Sequence, residues 1–310
     1  MDKSSLRLIF FGTPEFAVAS LKSIVQSGYQ VVAVVTAPDK ASGRGMKLQS
    51  SAVKQAAIEL GLPVLQPEKL KSPEFIETLR SYKADLQIVI AFRMLPEVVW
   101  NMPAMGTFNL HASLLPAYRG AAPINHAIIN GETETGLSTF FLQHAIDTGQ
   151  ILLQEKVRIE PEDNAGTLHD KLMHLGAQLV VKTLDAIVNN QISPKPQAEG
   201  HFPEAPKIFT ETCRINWQEK AEKVHNLIRG LSPYPAAFTE FQGKKLKVFE
   251  TRLSDEKSDG SGQIKLDESG RLMGHCLDKQ LELISVQPEG KKRMTAKDFL
   301  NGLVNSTERR

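Results

Sequence analysis

The stretch Leu6-Arg7-Leu8-Ile9-Phe10-Phe11-Gly12-Thr13-Pro14 contains the first structured element of the chain. A short apolar run that stops at a glycine predicts a buried β-strand followed by a tight turn. Residues 16–26 follow with apolar side chains at helical spacing, and residues 31–36 are rich in β-branched side chains. A buried strand, a helix and a second buried strand predict a βαβ unit with parallel strands.

The same alternation continues for more than a hundred residues. Further helices are predicted over 53–60, 73–82 and 123–130, and further strands over 64–65, 86–91, 107–111, 137–143 and 150–159. Buried strands that alternate with helices predict an α/β fold with a Rossmann-like, mostly parallel sheet covered by helices on both faces. A long helix with apolar residues from Leu168 to Ile187 closes this domain.

The last third of the chain has a different pattern. Residues 189–207 contain four prolines and little periodicity, which is typical of an extended linker. One helix is predicted over 219–231, and short strands near 237–241, 245–253, 263–266 and 281–286. Short strands separated by Gly, Asp and Ser turns predict a smaller OB-like β-barrel. We therefore expect a first domain over 1–188, a linker over 189–207 and a second domain over 208–310.

Composition excludes several classes of protein. The net charge of +2 is too balanced to indicate nucleic-acid binding, and residues 208–310 hold only a small basic excess of 18 Lys and Arg over 15 Asp and Glu. Cys213 and Cys276 show neither metal-ligand spacing nor a disulfide framework. The sequence has no apolar run long enough to span a bilayer and no signal-peptide pattern at its start. A cytoplasmic protein without membrane attachment is predicted.

The first turn between strand and helix excludes a nicotinamide-dependent dehydrogenase. A dinucleotide fingerprint requires G-x-G-x-x-G at this turn. The chain has Gly12-Thr13-Pro14-Glu15-Phe16 instead.

Polar residues follow two of the predicted strands. Asn109 and His111 are two residues apart, so they point to the same face of a strand. An amide donor beside an imidazole can stabilise one developing oxyanion. Asp147-Thr148-Gly149 follows a later strand and adds a carboxylate, although this tripeptide alone is equally compatible with an ordinary turn or cap. A single copy in an α/β context argues against an aspartic protease.

These motifs together resemble the folate-dependent formyltransferase family. The resemblance covers nearly the whole chain and is carried by the following segments: Phe11-Gly12-Thr13-Pro14, Pro38-Asp39-Lys40 with Gly43-Arg44-Gly45, Asn109-x-His111-x-Ser113-Leu114-Leu115-Pro116, Arg119-Gly120-Ala121-Ala122-Pro123-Ile124, Glu134-Thr135-Gly136, Asp147-Thr148-Gly149, Ile215-x-Trp217 and Leu231-Ser232-Pro233-Tyr234-Pro235. It implies the formyltransferase fold and an enzyme of one-carbon transfer.

The resemblance also implies a reaction and its residues. The donor is 10-formyltetrahydrofolate, no metal is required, and Asn109, His111 and Asp147 are the catalytic residues. Asn109 and His111 stabilise the tetrahedral oxyanion, while Asp147 orients His111 and helps to move the proton. The expected folate-binding residues are Ser113, Leu114, Leu115, Pro116, Phe92, Met94 and Leu95. Phe92-Arg93 stands where the family commonly has Tyr-Gly, and Ala112 stands where Gly is common.

The implied acceptor is the α-amino group of methionine on initiator tRNA, which links the protein to translation initiation. Residues 37–47 would form a loop that reaches the acceptor end, and the barrel would contact phosphates. The expected tRNA-binding residues are Lys40, Arg44, Lys47, Lys244, Lys245 and Lys247. The free surface that a tRNA needs implies a monomer.

Three alternatives remain at this point. A related formyltransferase could act on a small amine such as a sugar nucleotide, but it would need neither the basic loop nor the C-terminal domain. A hydrolase with the same centre would release formate to water. A non-catalytic RNA-binding protein would give no reason for Asn109, His111 and Asp147 to occur together.

Overall fold

The computed structural model describes residues 2–42 and 47–307. The chain divides into two compact units. The first comprises Met1–Arg119, Thr135–Val157 and His169–Pro203, and the second comprises Gly120–Glu134, Arg158–Leu168 and Glu204–Arg310. The domain boundaries expected from the sequence stay a prediction. Within the described residues, no helix is both long and apolar enough to cross a membrane.

Strands and helices alternate along the first part of the chain. The elements up to residue 188 are β1 (Arg7–Gly12), α1 (Glu15–Gln26), β2 (Gln30–Val35), β3 (Lys40–Ser42), β4 (Lys47–Gln49), α2 (Ala52–Glu59), β5 (Val64–Leu65), α3 (Pro73–Ser81), β6 (Leu86–Ile90), α4 (Glu97–Trp100), β7 (Thr107–His111), β8 (Arg119–Gly120), α5 (Pro123–Ile129), β9 (Glu134–Phe141), β10 (Ile151–Arg158) and α6 (Ala165–Val188).

A seven-stranded sheet forms the centre of the first unit, in the order β10-β9-β7-β6-β1-β2-β5. Strand β1 pairs in parallel with β2 and β6, and the pairs β2–β5 and β6–β7 are parallel as well. Strand β9 runs antiparallel to β7. The predicted mostly parallel α/β sheet is therefore confirmed, with an antiparallel addition at one side.

Local sequence explains why these elements form. Strand β1 is buried from Leu8 onwards because both of its faces are covered. Helix α3 begins where the Ser72 side chain accepts a hydrogen bond from the Phe75 backbone N–H, with Pro73 at its first position. Apolar side chains of the strands and of α3 then share one core, which includes Phe11, Val89 and Leu79.

The remaining elements belong to the second unit. They are β11 (Glu204–Ala205), α7 (Ala221–Gly230), β12 (Ala237–Phe241), β13 (Lys244–Lys257), β14 (Ile264–Leu266), β15 (Leu272–His275), β16 (Lys279–Pro288), β17 (Met294–Thr295) and α8 (Ala296–Thr307). The sheet order is β12-β13-β16-β15-β14, with β17 beside β16, and neighbouring strands are antiparallel. The predicted smaller OB-like β domain is confirmed as a separate domain with a six-stranded antiparallel sheet.

The core of the second unit forms around Trp217. The indole is buried, and its Nε1–H donates to Thr239 Oγ1 at 3.0 Å. Gly274 lies against the indole so closely that a Cβ there would be 2.2 Å from the ring. The side chains of Ile215 and α7 complete this core. The motif Ile215-x-Trp217 therefore has a packing role.

Several parts of the second unit differ from the sequence-based expectation. Strand β13 continues to Lys257, beyond the predicted end at residue 253, because backbone pairing with β16 extends to the pair Lys257–Lys279. Its second half is mostly exposed and has no apolar alternation that could predict it. Strands β11, β15 and β17 and helix α8 were also not predicted.

Candidate active site

The sheet order puts a switch point, where open α/β sheets form a ligand-binding crevice, at the carboxyl ends of β1 and β6. The chain leaves β1 towards β2 on one side, whereas β6 lies on the other side, so the order of connection reverses between β1 and β6. Open α/β sheets bind ligands at such a point. Strand β7 is the next neighbour of β6, with Val89 beside Asn109 and Ile90 beside Leu110. The carboxyl end of β7 therefore brings Asn109 and His111 to this edge of the sheet.

Asn109 lies in the middle of the sheet, between β6 and β9. Its Oδ1 atom is buried and has no hydrogen-bond partner among the described residues. A buried amide oxygen without a partner is unfavourable unless a ligand satisfies it. Asn109 Oδ1 can therefore accept a hydrogen bond from a donor group that enters the crevice, whereas the NH2 group of the same side chain is the part that can donate to an oxyanion.

The imidazole of His111 is held by a backbone carbonyl. His111 is 7% exposed, and its Nε2 lies 2.8 Å from the carbonyl oxygen of Tyr118. A carbonyl oxygen can only accept, so Nε2 carries a proton. In the neutral ring the lone pair therefore belongs to Nδ1, which is the nitrogen that can accept a proton.

The carboxylate of Asp147 faces that second nitrogen. Its Oδ2 lies 3.9 Å from His111 Nδ1, and its side chain is 13% exposed. Asp147 has a left-handed backbone with φ of 55°, which is uncommon for a residue other than glycine. The structure thus brings Asn109, His111 and Asp147 together. Tyr118, rather than Asp147, makes the hydrogen bond that orients the imidazole.

The segment Ser113-Leu114-Leu115-Pro116 follows β7 and is fastened to the sheet. Ser138 Oγ on β9 donates to the Ser113 carbonyl at 2.7 Å and accepts from the Leu115 backbone N–H at 3.0 Å. Gln154 Nε2 on β10 donates to the Leu115 carbonyl at 2.9 Å. This segment is therefore held from two neighbouring strands.

A buried hydroxyl on β9 gives the first testable prediction. Ser138→Ala leaves two buried backbone groups without a partner, so we expect it to lower the free energy of unfolding by about 2 kcal/mol. We also expect the KM for the folate donor to rise. Urea unfolding and steady-state kinetics measure these effects. Thr135→Val is the matched control, because the Thr135 hydroxyl on the same strand is buried without a described partner. Equal destabilisation by both changes would contradict the role of the Ser138 hydroxyl as the partner of these two backbone groups.

The segment after β6 has mixed environments. The ring of Phe92 packs edge-to-face on Phe11, with centroids 5.6 Å apart. Leu95 is buried in the core, whereas Met94 is 74% exposed. Arg93 points away from the sheet towards a neighbouring loop, where its guanidinium donates to the carbonyl of Glu68 at 3.0 Å and to the carbonyl of Pro67. Arg93 therefore fixes a loop.

The basic residues expected to bind tRNA lie in two places. Lys40 is exposed on β3, whereas Arg44 and the side chain of Lys47 lie outside the described residues. On β13, Lys245 and Lys247 point to one face, and Lys244 points to the other because strand side chains alternate. The structure thus separates Lys244 from Lys245 and Lys247.

Lys245 and Lys247 line a cavity of about 440 Å³ in the second unit. Lys245 Nζ lies 3.8 Å from the centre of the Phe238 ring, and Lys247 Nζ donates to the Pro235 carbonyl at 3.3 Å. Phe209 and Tyr234 also line this cavity and are 59% and 82% exposed. Two ammonium groups beside two exposed aromatic rings are a combination suited to nucleic acid.

Several residues of the site were not found from the sequence. Tyr118 acts through its backbone carbonyl, which no side-chain pattern can reveal. Ser138 lies on β9 and Gln154 lies on β10. Only the pairing of these two strands brings both side chains to the segment that follows β7. Tyr234 lies in the turn from Leu231 to Pro235, and no side-chain pattern in the sequence indicates that its ring is 82% exposed.

An amide and an imidazole on one strand, with a carboxylate beside the imidazole, at the carboxyl edge of an α/β sheet are features typical of a group-transfer enzyme of the formyl transferase type. The family described as "Formyl transferase" matches residues 6–184, and "Formyl transferase, C-terminal domain" matches residues 207–304. The chain belongs to the formyl transferase family.

Its relatives include proteins named methionyl-tRNA formyltransferase. The chain is 52% identical over 312 residues to the protein of that name from Bacteroides fragilis, with 97% of this chain and 96% of the relative covered. It is 47% identical to the one from Flavobacterium johnsoniae, with 98% of both chains covered.

Solved structures share the fold at low sequence identity. An N-formyltransferase from Helicobacter canadensis, determined in complex with folinic acid and dTDP-3-aminofucose, has a TM-score of 0.68 at 21% identity, with 91% of this chain and 99% of that chain covered. HypX from Aquifex aeolicus with tetrahydrofolic acid has a TM-score of 0.66 at 16% identity, with 96% of this chain covered. The chain spans 47% of the length of that HypX chain.

Proposed function

We propose that this protein transfers the formyl group of 10-formyltetrahydrofolate to the α-amino group of methionine esterified to initiator tRNA. The observation that carries this proposal is the pair of His111 Nδ1 and Asp147 Oδ2, 3.9 Å apart at the carboxyl end of β7, the strand that also carries Asn109. The similarity to methionyl-tRNA formyltransferases over nearly the whole chain supports tRNA as the acceptor.

The chemistry follows from the two imidazole nitrogens. The amine attacks the formyl carbon, the new N–C bond forms, and negative charge develops on the formyl oxygen. The amide of Asn109 stabilises this oxyanion. Nδ1 of His111 accepts the proton of the attacking amine, and the carboxylate of Asp147 at 3.9 Å stabilises the resulting imidazolium. The C–N10 bond then breaks, and the proton passes to the leaving N10 atom.

The donor would bind between two segments that follow neighbouring strands. Ser113-Leu114-Leu115-Pro116 follows β7 and is held by hydrogen bonds to β9 and β10. Phe92 and Met94 follow β6, and the high exposure of Met94 leaves an apolar side chain available for the flat donor. Leu95 would act as part of the supporting core. Pre-organised segments of this kind align a bound donor with the acceptor.

The aromatic and basic cavity of the second unit supports a contact to tRNA. The side chains of Lys245 and Lys247 would neutralise phosphates, and Phe209 or Tyr234 would stack on an unpaired base. Lys40 and Arg44 would contact the acceptor end. We propose that the protein acts as a monomer and that it is located in the cytoplasm. The location agrees with two buried cysteines that form no disulfide.

The cavity leads to the second prediction. The double change Lys245→Ala with Lys247→Ala removes two phosphate contacts, so we expect the KM for tRNA to rise about tenfold or more. The dependence of log affinity on log salt should become less steep by roughly one for each lysine. Steady-state kinetics measures the KM, and filter binding at several salt concentrations measures the salt dependence. Lys279→Ala is the control, because Lys279 lies on β16 rather than on β13. Its Nζ pairs with the carboxylate of Asp255 at 3.1 Å. An unchanged salt slope in the double variant would contradict this contact.

The acceptor itself can be tested with labelled donor. The purified protein is given 10-[13C]formyltetrahydrofolate with methionyl-initiator tRNA, a dTDP-amino sugar and buffer water as competing acceptors. We expect the label on the methionine nitrogen of the tRNA. Label on the amino sugar would instead support the small-amine formyltransferase. Label in free formate alone would support a hydrolase.

A further inference from the structure

The loop that carries Asp147 is held by a residue from a distant, proline-rich segment. Gln197 lies between Pro196 and Ala198, about fifty residues from this loop. Its side-chain Nε2 donates to the Asp147 carbonyl at 2.7 Å and to the Gly149 carbonyl at 2.9 Å. One amide group thus connects both ends of the tripeptide Asp147-Thr148-Gly149.

A guanidinium fixes the direction in which this amide points. Arg119 Nε donates to Gln197 Oε1 at 3.0 Å, and Arg119 Nη2 donates to the same oxygen at 2.5 Å. A guanidinium can only donate and a carbonyl can only accept. Rotation of the amide by 180° would therefore place donors against donors and acceptors against acceptors. The contacts to Arg119 also polarise the amide, which strengthens the bonds that its NH2 group donates.

We propose that Gln197 is a positioning residue of the active site, which holds the backbone of Asp147 so that its carboxylate stays beside His111. Asp147 has a left-handed backbone, and its neighbour Gly149 accepts from the same NH2 group. A residue in a sparsely populated conformation keeps it only when surrounding contacts impose it. The two bonds from Gln197 supply that constraint, and Arg119 acts through Gln197.

The segment that carries Gln197 is itself fastened to the first unit. Lys195 exchanges two backbone hydrogen bonds with Ile151, at 2.8 and 2.9 Å. Gln197 is half-buried two residues further on. A short and tied connection of this kind can hold a side chain in one place, which a free linker could not do. This inference rests on the proposed role of Asp147 and extends it.

Two substitutions separate the contacts of Gln197. Gln197→Glu keeps an acceptor for Arg119 but removes the NH2 group that bonds the two carbonyls, whereas Gln197→Ala removes both contacts. We expect both changes to lower kcat about 10- to 100-fold, because small misplacements of a catalytic group have effects of this size. The KM for 10-formyltetrahydrofolate should change by less than about twofold. Gln191→Ala is the matched control, since Gln191 is an exposed glutamine of the same segment.

Hydrogen exchange followed by mass spectrometry supplies a readout that needs no acceptor. Peptides covering 143–150 should exchange faster in both Gln197 variants than in the wild type and in the control. This result would support the positioning role even if the wild type formylated another amine, so the two proposals can fail separately. Unchanged exchange in this loop, or full kcat in Gln197→Glu, would overturn the inference. A loss of activity seen only as a raised KM would overturn it as well.

Discussion

Replacing His111 by alanine is expected to lower kcat by about 10²–10⁴-fold, with little change in the KM for either substrate. The reason is the loss of Nδ1, the one ring nitrogen whose lone pair is free, since Nε2 is committed to the Tyr118 carbonyl. The developing positive charge on the amine would then have no base beside it. Single-turnover rates at saturating donor and acceptor measure this effect.

Circular dichroism and thermal unfolding serve as checks on the fold of this variant. His201→Ala is the control, because His201 is exposed. We expect the control to keep wild-type kcat. A His111→Ala enzyme that kept more than about a tenth of wild-type kcat would contradict the assignment of the proton transfer to this ring.

Replacing Gly149 by alanine is expected to have the second large effect. A Cβ at this position would lie 1.6 Å from the carbonyl oxygen of Phe141, so the backbone must move. The backbone of Phe141 is held in place, because its N–H donates to the Gln150 carbonyl at 3.0 Å. The N–H of the next residue, Leu142, donates to the Thr107 carbonyl at 2.8 Å. The loop would therefore shift, and Asp147 with it.

We expect Gly149→Ala to lower the free energy of unfolding by about 3 kcal/mol and kcat by about 10²-fold. Urea unfolding and steady-state kinetics measure the two effects separately. Gly302→Ala is the control, because a Cβ there meets nothing within 4 Å. If Gly149→Ala were as stable and as active as the wild type, the loop would not be constrained as described.

The sequence predicted the first unit well because its signals are local. Buried strands and amphipathic helices alternate, and this periodicity alone predicts a parallel sheet. The spacing of Asn109 and His111 placed both side chains on one face of β7, and the sheet order then brings them to the crevice. Successive side chains of a strand point to opposite faces of the sheet. This rule could also have predicted that Lys244 points to the face opposite Lys245 and Lys247.

The remaining features depend on contacts between distant parts of the chain. The orientation of His111 comes from a main-chain carbonyl of Tyr118, and the loop of Asp147 is held by Gln197, which lies in a stretch without periodicity. The second half of β13 is exposed and is a strand only because it pairs with β16. Hydrogen bonds of this kind carry no signature in a single sequence.

The most direct test of the central claim is a single-turnover formylation assay with purified protein, 10-formyltetrahydrofolate and methionyl-initiator tRNA. The product is followed as formylmethionine released from the tRNA by base. We predict stoichiometric transfer by the wild type, and a rate at least about 10²-fold lower for Asn109→Ala, because one oxyanion donor is lost. Absence of formylmethionine with the wild type, under conditions where the tRNA is charged and the donor is consumed, would contradict the account.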